Sequence, residues 1–209
     1  MVYRLVYYNN MVNISNNREK IFNVALELFS DRGFEAVSVN EIVQKVGVSK
    51  PTLYYFFESK EGLFKSILKK NYNKLYNRLF KVANYVPHTD SYYEDVYPVL
   101  LNIVKEHFEY VKENRNFYLL MLSFIFAPPT SQTSIMSIEY YREHYKIIKD
   151  LFKDISKIHK NIIGKEEQSA TSFLAVINSE IALWLHGKEE LSEERASSIV
   201  HQFMHGVFA

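Results

Sequence analysis

The chain has 209 residues, 47% of them hydrophobic, which suits one large domain or two small ones and leaves ample apolar mass for a packed core. Its formal net charge of +1 excludes a polycation. Residues 1–70 hold ten Lys/Arg against seven Asp/Glu and the remainder fifteen against seventeen, so only a mildly basic front end, +3 against −2, speaks for a polyanionic partner. Cysteine is absent, which excludes disulfides, zinc fingers and thiol nucleophiles together and fits a reducing cytoplasm.

The opening residues MVYRLVYYNN lack the charged start, apolar middle and small-residue cleavage site of a signal peptide. Met1 and Met11 are both available starts, and residues 1–14 are expected to form a disordered arm. Thereafter no segment alternates with period two, and glycine and proline fall almost only where helices end, so an all-α fold is predicted. The first clear helix carries Ile21, Phe22, Ala25, Leu28 and Phe29 in one apolar stripe. It stops at Gly33, with Phe34 folding back on Phe29. The second begins at SVNE, where Ser38 caps the amide of Glu41 and Glu41 reaches back in a capping box; Val39, Ile42, Val43 and Val46 are its buried face.

Gly47 breaks that helix after about two turns, and a third follows, capped by Ser49 or Lys50 with Pro51 in its first turn. Two short helices joined by a glycine-containing turn form a helix-turn-helix. With Leu53 and Phe56 turned inward, Lys50, Thr52, Tyr54 and Tyr55 are left near the exposed front, where ammonium and hydroxyl groups suit phosphate oxygens and base edges. Ser59 caps a fourth helix, so the amides of Lys60 and Glu61 offer a phosphate seat.

These residues resemble the DNA-binding domain of the TetR family of bacterial transcriptional regulators. The resemblance covers residues 15–64, about a quarter of the chain: an opening helix ending in FSDRGF, then SVNEIVQKVGVSKPTLYYFFESKEGLF. It implies a three-helix DNA-binding domain over 15–62 and a helical effector-binding and dimerisation domain over 63–209. It further implies that Ser38 contacts phosphate, that Ser49, Lys50, Thr52 and Tyr54 lie along the recognition helix, and that Tyr55 and Lys60 clamp phosphates. Two positions depart from the commoner pattern. Phe56 stands where histidine is frequent, and Gly62 where glutamate is, which is expected to weaken the cap of the fourth helix.

The fourth helix is predicted over 60–84, with Leu63, Phe64, Ile67, Leu68, Leu75 and Leu79 on its buried side. After the loop NYVPHTD, Asp90 or Ser91 starts a helix to about Asn114. RNFYLLMLSFIFA is apolar on nearly every side and so is expected to be buried all round, although at this length it falls well short of the roughly 20 residues a bilayer requires. A helix over about 134–160 presents Tyr141, Tyr145, Ile148, Phe152 and Ile155 in one stripe. Around helix 169–187, the arc of Phe173, Leu174, Val176, Ile177, Ile181, Leu183, Trp184 and Leu185 is too wide for one core and implies a second surface. A final helix from Glu193 to Phe208 adds Ile199, Val200, Phe203 and Val207, with Gly206 allowing a close crossing; the resemblance implies that these last two helices pair with their copies in a homodimer.

Tyr118, Met121, Phe124, Tyr141, Tyr145 and Trp184 are the candidate lining of an effector pocket, although core packing alone explains every one of them and is the simpler account of any single one. Glu180 falls inside the apolar arc and must be paired, hydrogen-bonded or protonated. It recognises a cationic or hydrogen-bonding effector, bridges to Arg115, Arg142 or a lysine, or contacts the second subunit. His201 and His205 have metal-compatible spacing but no third ligand in the sequence pattern, so no metal and no cofactor is expected. No phosphate-cradling glycine loop or nucleophile elbow supports an enzyme. The expected function is a cytoplasmic dimeric repressor that binds a palindromic operator in double-stranded DNA and is released by a small hydrophobic or cationic effector. The alternative is an effector-independent DNA-binding repressor or architectural protein.

Overall fold

No glycine or proline precedes Gly33, and nothing therefore stops a helix from continuing backwards from the first apolar stripe. In the computed structural model, which describes residues 2–188 and 190–206 and the side chains from Asn16 onward, α1 runs from Val2 to Arg32. The disordered arm expected over residues 1–14 is thus a helical extension from residue 2. The stripe on α1 is as predicted: Ile21, Ala25 and Phe29 are fully buried. Gly33, at φ +81°, closes the helix by donating its amide to the Phe29 carbonyl at 2.9 Å. Phe34 then folds back so that its ring centroid lies 5.3 Å from that of Phe29.

α2 (Val39–Val46), α3 (Lys50–Phe57) and the start of α4 (Lys60–Val82) close over this stripe. Ser38 caps α2 by accepting from the Glu41 amide at 3.2 Å. Glu41 does not reach back as a capping box would; its carboxylate pairs with Arg32 at the end of α1. Leu53 and Phe57 are the buried side chains of α3, four residues apart, while Phe56 is only half-buried. The expected inward role of Phe56 therefore passes to Phe57, because an i,i+4 pair places both side chains on one face of a two-turn helix.

α4 buries Leu63, Phe64, Ile67, Leu68, Leu75 and Leu79, as its sequence indicates, and also Asn71 and Tyr72. Phe64 meets Phe34 (4.8 Å) and Phe29 (5.7 Å) on one side and Phe124 of the body (5.6 Å) on the other. This run of rings makes α4 a shared wall between the front helices and the rest of the chain.

The body consists of α5 (Tyr92–Glu113), α6 (Arg115–Ile125), α7 (Gln132–Ile158), α8 (Glu166–Leu185) and α9 (Glu193–His205), with a short 3-10 turn over Lys160–Ile162; no strand occurs among the described residues. α5 is capped by Ser91 and buries Val96, Leu100, Ile103, Val104, Phe108 and Val111. α6 is not buried all round. Phe117, Tyr118, Leu120, Met121 and Phe124 face the core, but Leu119 and Leu122 are half-exposed and Phe126, just past its end, is 86% exposed. The buried stripe of α7 passes through Ser137, His144, Ile148, Leu151 and Ile155, with Tyr141 and Tyr145 on its flank rather than at its centre.

Two polar clusters among those buried in this apolar body, around Asp95 and around His107 and His144, are held largely by their partners. Asp95 receives the Tyr85 hydroxyl, His159 Nε2 at 2.7 Å and the His88 amide at 2.9 Å, so it fastens the α4–α5 loop to the end of α7. Burial pushes its carboxyl up, but these donors more than offset that and bring it down to about 2. His107 of α5 and His144 of α7 face each other with their Nε2 atoms 3.0 Å apart. His107 Nδ1 lies 2.8 Å from the Ile103 carbonyl and must carry a proton there, so His144 Nε2–H donates to His107 Nε2. His144 Nδ1 is then an acceptor without a donor. Burial holds both rings neutral, down to about 4 for His107 and about 3 for His144.

Candidate nucleic-acid interface and effector body

The α2–α3 unit presents the residues singled out as DNA contacts. Ser38, Ser49, Lys50, Tyr54 and Tyr55 are exposed and Thr52 half-exposed, whereas Leu53 between them is fully buried. Gly47 at φ +77° lets the chain reverse between the two helices, and its amide donates to the Val43 carbonyl at 2.9 Å. Ser49 occupies the cap of α3 but bonds no amide with its side chain; its hydroxyl and that of Thr52 hydrogen-bond at 2.9 Å. Tyr54 is 43% and Tyr55 77% exposed, so neither ring belongs to the core. Tyr55 rests edge-on against Phe56 with centroids 5.1 Å apart, which orients its hydroxyl outward from a fixed base.

Lys60 differs from its expected place at a phosphate. Its ammonium donates to the Phe34 carbonyl at 2.8 Å and the Val37 carbonyl at 2.9 Å, and lies 4.1 Å from the Phe34 ring centroid. Two of its three donors are thus engaged by the loop between α1 and α2. A lysine satisfying carbonyls that have no helical partner is a tether, and nothing local in the sequence distinguishes it from a free one.

The turn from α3 to α4 is tighter than any sequence motif indicates. Glu58 takes φ +65° and ψ −42°, and the Ser59 amide donates to the Phe57 carbonyl at 2.7 Å, a γ-turn of the rare and strained hand. Ser59 then caps α4 by accepting from the Gly62 amide at 2.9 Å. A Cβ on Gly62 would stand 2.0 Å from the Phe57 carbonyl oxygen. Gly62 is therefore not a weakened cap. It makes room for the carbonyl that the γ-turn pushes against α4.

The candidate effector residues do not form one cluster. Met121, Phe124 and Tyr141 line a cavity of about 190 Å³ together with Tyr72, Ser134 and Ser137, and Tyr141 also lines a larger groove of about 750 Å³ between α6 and α8. Tyr118 stands behind that groove, fully buried, its hydroxyl donating to Asn178 Oδ1 at 2.8 Å. Tyr145 is held by the Glu167 carbonyl (3.0 Å) and Thr171 (3.2 Å). Trp184 is half-buried and lines neither space. Glu180 is clasped by Arg195 of α9, which donates from Nε at 2.8 Å and from Nη2 at 3.0 Å. The partner is none of Arg115, Arg142 or a lysine, and a carboxylate gripped in this bidentate fashion is not free to meet a cationic ligand.

Residues 21–67 match the family model described as bacterial regulatory proteins, tetR family. The chain is 34% identical over 112 residues to the HTH-type transcriptional regulator QacR of Staphylococcus aureus, covering 47% of this chain and 58% of that protein. Across the curated relatives it matches first, the aligned part spans between 31% and 58% of their lengths. Its fold is similar to that of the TetR family regulator PfmR from Thermus thermophilus, with a TM-score of 0.67 at 21% identity over 92% of this chain and 97% of that one. It is likewise similar to the regulator FadR from Bacillus subtilis in complex with stearoyl-CoA, with a TM-score of 0.69 at 16% identity over 90% and 98% of the two chains.

Proposed function

We infer, for a chain that belongs to the TetR family of bacterial transcriptional regulators, that it acts as a homodimeric repressor which binds a palindromic operator and leaves it when a small molecule occupies the body. The supporting observation is the division of labour on α3: Leu53 and Phe57 anchor the helix inside, while Ser49, Lys50, Tyr54 and Tyr55 stand exposed and Thr52 partly so. A helix held by its apolar side and rich in ammonium and hydroxyl groups on the other is built to enter a major groove. Ser38 and Tyr55 supply phosphate contacts; Ser49, Lys50, Thr52 and Tyr54 supply base reading. The DNA-binding part extends to about residue 62 and the body follows from 63.

Lys60 serves this function as a tether. By gripping the carbonyls of Phe34 and Val37 it makes the front helices follow any swing of α4. Pairing two copies through the outer face of α8 around exposed Ser172 and Val176, which do not line the groove between α6 and α8, would set two recognition helices about 34–36 Å apart, the repeat of the major groove. α9 joins that interface less than expected, since Ile199 and Val200 are buried within their own protomer; Val207 lies outside the described residues. A cytoplasmic location agrees with this role, and no described helix is long and apolar enough to cross a membrane.

The test is selection of a half-site from random duplexes, followed by titration of the selected duplex at several salt concentrations. A twofold-symmetric consensus bound by two protomers is the expected result. Binding without sequence preference, or by one protomer, would reject the operator-reading role.

A further inference from the structure

Two spaces flank α6 and meet at Tyr141 and Ile125, which line both. The inner one, about 190 Å³, is enclosed by α4, α6 and α7, with Met121, Phe124 and Ile138 as apolar walls. The outer one, about 750 Å³, is the groove between α6 and α8, walled by Leu119, Leu122, Phe126, Leu174 and Ala182. Among the described residues, no aspartate, glutamate, lysine or arginine lines either space, and His186 lies exposed at the rim of the groove.

The polar groups deeper in are hydrogen-bonding and neutral. Tyr72 is 1% exposed, its ring stacked on Tyr140 and edge-on to Phe117, and its hydroxyl bonds none of the described residues. The hydroxyl is not sealed off, since Tyr72 lines the inner cavity, and that cavity is where a hydrogen-bond acceptor can reach it. Burial pushes this hydroxyl, and less strongly that of Tyr141, above the ordinary tyrosine range, so both remain protonated donors. In the groove, the Tyr118 hydroxyl occupies Asn178 Oδ1 and so leaves the Asn178 amide hydrogens as further donors.

We propose that the inner cavity and the α6–α8 groove together hold one elongated, uncharged, mainly apolar molecule whose hydrogen-bond-accepting end meets Tyr72 and Tyr141 and whose chain lies along the groove past Asn178. This assignment rests on the regulator reading and names the class of its effector. A charged end is disfavoured from both sides. A carboxylate or phosphate would find no lysine or arginine among the lining residues, and a cation would find no carboxylate, since Glu180 is held by Arg195. An ion buried without a counter-charge loses several kcal/mol of solvation.

The whole chain is titrated by calorimetry at pH 8, where an imidazole in solution is neutral, with and without its selected duplex. The three probes share one chain length and stay below their micelle concentrations: 1-decanol, decanoate and decyltrimethylammonium. The expected order is decanol at least tenfold tighter than either ion, with release of the duplex. Tyr72→Phe should weaken decanol about three- to tenfold while keeping or raising Tm, because it deletes a hydroxyl that no protein group needs; Leu122→Trp, which fills the groove, should abolish binding without touching DNA affinity. Equal or tighter binding of either ion overturns the ligand class. So does unchanged decanol affinity in Tyr72→Phe. If the protein binds its duplex but no decanol, the inference fails while the regulator reading stands; if it binds decanol but no duplex, the reverse holds. Should Leu122→Trp dissociate the protein into monomers and leave decanol binding intact, the groove belongs to a second copy and the inference is rejected.

Discussion

The front three helices and the body are built from the same kinds of residue but by different logic. In the front, the caps and turns join residues close in sequence, Ser38 to Glu41, Gly33 to Phe29, Ser49 to Thr52 and Ser59 to Gly62, while Lys60 and Phe64 reach back across the unit to Phe34. In the body, the decisive contacts span distant elements: His107 to His144, Asp95 to His159, Tyr118 to Asn178, Glu180 to Arg195. A region specified locally can carry the same motif from one protein to another. A region specified by long-range packing keeps its helices while its cavities and buried polar pairs vary freely, which is what a sensor of differing small molecules requires.

The largest expected effect breaks the comparison from the body's side, through acid. Burial holds His107 and His144 neutral, with Ile103 and Glu106 only partly opposing this for His107 and the His107 ring adding to it for His144. Both rings titrate near 6.5 when unfolded. Between that value and about 4 the unfolded chain binds more protons, so stability falls as pH falls from 6.5, by roughly 1.4 kcal/mol per unit of depression and several kcal/mol for the pair. Asp95, held at about 2, loses its contribution only below its ordinary 3.8, in a separate and lower window. Urea denaturation of the wild type and of a His107→Leu/His144→Leu double variant at pH 7.5, 6 and 5 checks this. The variant should match or exceed the wild type at pH 7.5, since both partners are replaced together, and should lose the acid slope. Parallel pH profiles for the two proteins would remove the pair from the account.

Next in size is Gly62→Ala, which tests how local the front helices are. Alanine in place of a helical glycine ordinarily gains up to about 1 kcal/mol. Here the added Cβ would lie 2.0 Å from a backbone carbonyl, so a loss of about 1–3 kcal/mol is expected instead, with DNA binding impaired because α3 must move. A raised Tm would show that the Glu58 γ-turn relaxes freely.

What is legible in the sequence follows the same divide. The three front helices from Ile21 onward, the caps at Ser38 and Ser59, the exposure of Ser38, Ser49, Lys50, Tyr54 and Tyr55, and the helices of the body can be read from spacing and breakers alone, because those signals are local. The helical start of α1, the missing return of Glu41 and the idle cap side chain of Ser49 cannot. Spacing favours Phe56 over Phe57 as the buried ring, yet on so short a helix the i+3 and i+4 positions compete and only the tertiary neighbours decide. Gly62 looks like a lapse when set against a motif, but its cause lies in the Phe57 carbonyl. The buried histidines carry no signal beyond their place in an apolar stripe, and Tyr72 is hidden among the sixteen tyrosines of the chain. Glu180 is marked by its apolar neighbours as needing a partner, but Arg195 belongs to another helix, and no rule of spacing reaches that far.

A moderate effect is expected for Lys60→Ala, which sharpens the boundary between the two regions. Two carbonyls lose a charged donor at a half-buried site, worth about 1–2 kcal/mol after allowance for solvent. As a tether, Lys60 should lower Tm and weaken every duplex alike while leaving the salt dependence of binding unchanged. A salt slope reduced by about one counterion with an unchanged Tm would return Lys60 to the phosphate backbone.

The smallest effect on folding should belong to the most exposed ring, and it is the sharpest test of what that ring does. Tyr55 touches little besides Phe56 and is 77% exposed, so Tyr55→Phe and Tyr55→Ala should each move stability by no more than about 0.5 kcal/mol. Their effects on DNA should separate. If the hydroxyl donates to a phosphate, Tyr55→Phe loses most of the affinity that Tyr55→Ala loses, and loses it equally for all sequences, because a phosphate contact carries no base information. If the ring instead lies against a sugar or a thymine methyl, phenylalanine keeps the affinity and only alanine forfeits it. Lys50→Ala and Thr52→Ala provide the contrast, since substitutions at base-reading positions should change the selected half-site while leaving Tm in place. Tyr55→Phe with wild-type affinity would move the phosphate clamp to another residue of the α2–α3 unit, with Ser38 at the α2 N-terminus next in line, since its exposed oxygen accepts from the Glu41 amide and leaves its hydroxyl hydrogen to donate outward.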